Sequence, residues 1–79
     1  MKIIEKVKFL RELNNYTQQY LADLLEITAN GYGRIERGEV KVDIERLGLI
    51  SKAFNLKPSE LLDLELHEII KKLKGSKKN

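Results

Sequence analysis

Residues 17–39, TQQYLADLLEITANGYGRIERGE, decide the fold of this chain. Thr17 and Thr28 are hydroxyl residues of the kind that accept a backbone N–H at a helix N-terminus, and each precedes a run with helical spacing. The first run carries Leu21, Ala22 and Leu25. The second carries Tyr32 and Ile35 and closes near Arg37, with Gly38 as its C-terminal glycine. A turn at Glu26-Ile27 separates them, so residues 17–38 predict two short helices joined with almost no slack.

Working outward, Ile3 or Ile4, Val7, Leu10 and Leu13 mark one face of a helix over residues 3–13, broken by Asn14-Asn15. Downstream, Asp43 caps a fourth helix whose Ile44, Leu47, Ile50 and Phe54 form a stripe ended by Asn55. Pro58 fits the first position of a fifth helix containing Leu61 and Leu62. Leu66, Ile69, Ile70 and Leu73 recur at i, i+3, i+4 and i+7 and predict a further helix over about 63–74. Nowhere does the alternation of a half-buried strand occur. The expectation is an all-α domain over residues 1–74, followed by a disordered basic tail at 75–79.

Composition narrows the function classes. With 79 residues, 42% of them hydrophobic, the chain supports one small core and no roomy catalytic cleft. The absence of cysteine and the single histidine exclude disulfides and thiolate chemistry and leave no zinc ligand set. No glycine-rich phosphate loop, nucleophile with a base, or carboxylate pair stands out, so neither catalytic residues, an enzyme activity, a cofactor nor a metal is expected. In MKIIEKVKFLRE a charge interrupts every apolar run, which argues against a signal peptide or membrane span and for a cytoplasmic location. The net charge is +3, yet up to residue 70 there are 10 Lys and Arg against 12 Asp and Glu. The excess comes from Lys71, Lys72, Lys74, Lys77 and Lys78, so a nucleic-acid partner would have to be met by a local patch.

Two helices held this tightly have a physical use. One can enter a major groove about 12 Å wide while the other braces it across the groove, provided that a small residue such as Ala22 lets them meet. Leu21, Leu25, Ile27, Tyr32 and Ile35 then face inward, leaving Ala29, Asn30, Gly33, Arg34 and Arg37 outward.

Over roughly residues 4–64 the chain resembles transcriptional regulators of the Cro and phage-repressor type. The resemblance rests on Arg11, Thr17-Gln18, Leu21-Ala22, Ile27-Thr28 and Ile35-Glu36-Arg37-Gly38, and continues through Ile44, Leu47, Ile50 and Phe54. It implies a compact five-helix, lambda-repressor-like fold with an extra C-terminal helix. It also implies sequence-specific binding of double-stranded DNA by a repressor acting as a homodimer on a palindromic site. The implied base-contacting residues are Ala29, Asn30 and Arg34. Arg34 can pair with guanine and Asn30 with adenine, each worth about 1–3 kcal/mol of discrimination. Thr17, Gln18, Tyr32, Arg37 and Lys41 are the expected phosphate contacts, and Arg11 with Glu36 the ion pair that ties the first helix to the end of the recognition helix.

The stripe Leu66, Ile69, Ile70 and Leu73 is expected to contribute to dimerisation, its alternative being to fold back on the domain. Glu26 departs from the family by standing at a turn position usually held by glycine. Gly31 and Gly33 weaken the recognition helix by about 1 kcal/mol each relative to alanine. Those glycines and the −2 charge of the body support a different reading, a protein-interaction module such as an antitoxin that binds a toxin.

Overall fold

The computed structural model describes residues 1–76. They form six helices: α1 Ile3–Leu13, α2 Gln18–Leu25, α3 Ala29–Glu36, α4 Ile44–Ala53, α5 Pro58–Asp63 and α6 Leu66–Ser76. Among the described residues there is no strand. The sixth helix starts at Leu66 rather than near residue 63, and it takes in Gly75 and Ser76, which the sequence assigned to the tail. The rest of that expected tail, 77–79, lies outside the described residues.

Each helix begins where a side chain satisfies an orphan N–H. The Thr17 hydroxyl accepts from the Tyr20 amide at 3.0 Å, Thr28 from Gly31 at 3.0 Å, and the Asp43 carboxylate from Arg46 at 2.8 Å. At α1 and α5 the bond runs backwards, from the Lys2 and Lys57 amides to Glu5 and Glu60.

Four helices end alike. A left-handed residue follows α1 (Asn15, φ 58°), α2 (Glu26, φ 58°), α3 (Gly38, φ 75°) and α4 (Asn55, φ 57°). The next amide in each case reaches back to a carbonyl of the last turn: Tyr16 to Arg11, Ile27 to Ala22, Glu39 to Arg34 and Leu56 to Ser51. Asparagine and glycine accept this conformation readily. Glu26 does not, and holds it at a cost of about 1 kcal/mol. The residue after the left-handed position is apolar at three of the four ends and is Glu39 at the end of α3.

The core gathers Val7 and Leu10 from α1, Leu21, Ala22 and Leu25 from α2, Tyr32 and Ile35 from α3, Leu47 and Ile50 from α4, and Phe54 just after it. Leu56, Leu61 and Ile69 complete it. Each large side chain here contributes about 1.5–3 kcal/mol through burial. Ile44, placed by its spacing at the head of the α4 stripe, is instead 77% exposed; it is the first residue of its helix, and the buried stripe begins a turn later at Leu47.

The C-terminal stripe is divided. Ile69 is fully buried, and Leu66 and Leu73 pack against the same core. Ile69 therefore belongs to the protomer's own interior, which corrects its assignment to a dimer surface. Ile70 is half-buried and lines a groove of about 400 Å³ together with Leu13, Tyr16, Phe54 and Leu73. Lys72 reaches Glu60 of α5 at 3.0 Å.

Lys6 carries out a role that the sequence did not reveal. Its side chain is buried, and its ammonium donates to the carbonyls of Leu61, Leu62 and Leu64 at 3.1, 3.3 and 2.8 Å. A six-residue helix such as α5 is too short to persist on its own, and its terminal carbonyls lack partners within the helix. Three donors on one positive charge satisfy them at the negative end of the helix dipole.

Candidate nucleic-acid interface

The two helices of the motif pack closely against each other, and Ala22 of α2 has no exposed surface. A larger side chain there would force α2 and α3 apart. Their relative position is fixed from below by Arg11. Its Nε donates to Glu36 Oε2 at 2.6 Å, its Nη2 to Oε1 at 3.2 Å, and its Nη1 to the Tyr16 carbonyl at 2.8 Å. The Gln18 amide also donates to Glu36 Oε1, at 3.1 Å. One carboxylate thus joins α1, the start of α2 and the end of α3.

Side-chain exposure is 12% for Arg11 and 3% for Glu36, so the pair is largely dry. Burial pushes the Glu36 carboxyl upward, but the hydrogen bonds from Arg11 and Gln18 outweigh it and hold the group below its ordinary value. The bond to Glu36 is the main reason that the Arg11 guanidinium is pushed up.

Tyr32 lies wholly inside. Its expected phosphate contact is therefore corrected: the hydroxyl is buried and cannot reach a phosphate. The hydroxyl makes no hydrogen bond of good geometry, and the nearby Glu36 carboxylate is the neighbour that acts on it. Burial first, and then the neighbouring Glu36 carboxylate, push the phenol far above its usual range. Tyr32 lies one turn before Ile35 on α3, and this shared face was the available signal. Gly33 is likewise buried rather than outward. A Cβ there would stand 3.1 Å from Arg37 Nη1 and 3.5 Å from Gln18 Oε1, so the missing side chain lets both lie close over the helix.

The outer face of α3 keeps the remaining expected groups. Asn30 is exposed, Ala29 is half-exposed in the first turn, and the side chains of Arg34 and Arg37 are 52% and 55% exposed. Thr17 is exposed at the mouth of α2, and Gln18 is half-buried with one amide N–H committed to Glu36. Lys41 is exposed in the loop beyond α3. A residue that the sequence did not single out joins this face. Glu39 accepts from Arg37 Nε at 2.6 Å and lies 3.5 Å from Arg34 Nε. The Arg37 hydrogen bond holds the Glu39 carboxyl below its ordinary value.

Among the described residues no cluster of three or more His, Cys, Asp or Glu could hold a metal, and no helix is long and apolar enough to cross a membrane. The helix-turn-helix family pattern matches residues 7–61. The SPbeta prophage-derived uncharacterized HTH-type transcriptional regulator YonR of Bacillus subtilis (strain 168) is 36% identical over 58 residues, which are 73% of this chain and 54% of that protein. This chain thus spans about half the length of the curated relative it matches. No solved structure matches. With the all-helical architecture, the Arg11–Glu36 tie and a family match over most of its length, the chain belongs to the helix-turn-helix family of the Cro and phage-repressor type.

Proposed function

We propose that this protein reads double-stranded DNA by placing α3 in the major groove, and that it regulates transcription as a repressor. The carrying observation is the outer face of α3: Asn30, Arg34 and Arg37 project from a helix whose other side is locked to α1 and α2 through Glu36. A rigid mount with exposed polar and cationic side chains is what base readout requires. Thr17, Gln18 and Lys41 flank that helix and serve as phosphate contacts, which fix register without reading sequence.

One such helix reads too few base pairs for useful specificity, so the protein acts as a homodimer on a palindromic site. Ile70 and Leu73, along the groove shared with Leu13, are the part of the C-terminal stripe that a second copy would cover. Selection from a randomised duplex pool, with Arg34→Ala at the same salt concentration, tests the DNA reading. The expected result is a two-half-site palindrome, relaxed at one base pair per half-site by the variant; no enrichment by folded protein refutes it. For the dimer, Ile70→Glu should halve the sedimentation mass.

A second reading, binding of another protein such as a toxin, draws on one observation. Tyr20, Leu24 and Leu49 are exposed and line a common hollow with Ala53. Retention of a partner by Arg34→Ala but not by Leu24→Glu would support it.

A further inference from the structure

We propose that Glu39 sets the stringency of this interface by holding Arg34 and Arg37 in a shared clamp that discourages indiscriminate contact with phosphates. The inference rests on the DNA reading above and extends it to a residue outside the recognition helix.

The backbone puts Glu39 in place. Gly38 takes the left-handed conformation, its amide donates to Ile35 and the Glu39 amide donates to Arg34, which folds the chain back over the last turn of α3. At the three other helix ends closed in this way the corresponding residue is apolar: Tyr16, Ile27 and Leu56. At α3 it is a carboxylate, directed at the two arginines of the reading face. The bare backbone of Gly33 completes the arrangement by letting the Arg37 guanidinium lie close over the helix.

Both arginines meet Glu39 through Nε. A guanidinium carries five N–H donors, so the terminal N–H groups of Arg34 stay available for the O6 and N7 acceptors of guanine while its Nε faces the carboxylate. Guanine edges are neutral acceptors and do not repel Glu39. Phosphates do, and they gain less from a guanidinium whose charge is already partly offset. Nonspecific affinity comes almost wholly from phosphate neutralisation and counterion release, so the carboxylate suppresses that component most. The trio thereby trades strength for selectivity.

The test compares wild type with Glu39→Gln on two duplexes, the selected site and a scrambled sequence, over a series of salt concentrations. Unchanged thermal unfolding establishes that the variant is folded, as the exposure of Glu39 leads one to expect. Glu39→Gln should bind the scrambled duplex about tenfold more tightly at low salt, with a steeper dependence on salt concentration. Affinity for the selected site should change by less than about twofold, so the ratio between the two collapses. Equal gains on both duplexes would overturn the proposal, because Glu39 would then be a general repulsive charge. No change on either would overturn it too, the contact being an idle surface pair. Failure of the wild type to bind any duplex refutes the DNA reading itself, an outcome distinct from binding with an unaltered ratio.

Discussion

Arg11→Met should be among the most damaging single substitutions at an ionic side chain of this domain. It removes three hydrogen bonds at once, two to Glu36 and one to the Tyr16 carbonyl, and leaves the Glu36 carboxylate with Gln18 as its remaining hydrogen-bond donor. With 3% of the Glu36 side chain exposed, water cannot replace the guanidinium. Stranding one member of a buried pair costs about 3–5 kcal/mol. A domain of this size loses about 4–8 °C of Tm per kcal/mol, so thermal unfolding followed by circular dichroism should shift down by at least about 12 °C near pH 7. The penalty is pH-dependent. In the wild type Glu36 titrates below its ordinary value, so its stabilising contribution is complete above about pH 4.3 and fades as pH falls through the depressed native value. In the variant burial dominates and the carboxyl takes up its proton at higher pH, which removes the stranded charge. The gap between wild type and variant should therefore narrow steadily on acidification. Arg11→Met/Glu36→Leu should recover part of the loss, since an apolar pair leaves no uncompensated charge. A loss below about 1 kcal/mol, or a gap independent of pH, would refute a buried, functioning pair.

Other residues give sharper contrasts. Glu26→Gly relieves a left-handed backbone and should stabilise the domain by up to about 1 kcal/mol, read as a rise in Tm; no rise would mean that Glu26 has a compensating role. Lys6→Met should cost about 1.5–3 kcal/mol in urea unfolding by orphaning the carbonyls at the end of α5, with faster amide exchange at Leu61 and Leu64 than elsewhere. Ile69→Ala should cost about 2–5 kcal/mol, and the same change at its half-buried neighbour Ile70 clearly less, a difference that equilibrium unfolding resolves.

The readable parts of this fold were the local ones. Thr17, Thr28, Asp43 and Pro58 announce helix starts through chemistry confined to a single turn, and all four stand where the structure uses them. The Arg11–Glu36 tie followed from the family resemblance and is present. What escaped depends on neighbours distant in sequence. Spacing placed Ile69 and Ile70 on one stripe, but only the way α6 folds back on the core decides that Ile69 turns inward. Tyr32 has a polar tip that invites an outward reading, and the close approach of the helices encloses it. Lys6 looks like any surface cation until the carbonyls of Leu61, Leu62 and Leu64 arrive beside it. Glu39 gains its meaning from a turn whose geometry brings one carboxylate to two arginines.

The clasp made by Lys6 also bears on how the domain comes together. It links positions 55 to 58 residues apart, and the carbonyls it holds lie at or beyond the end of the family segment, so the bond can form only once that segment is complete. Closing so long a loop is entropically slow to repay, and little is gained before its far end docks. A cut in the 38–43 loop would therefore leave two fragments, each holding half of the fastening.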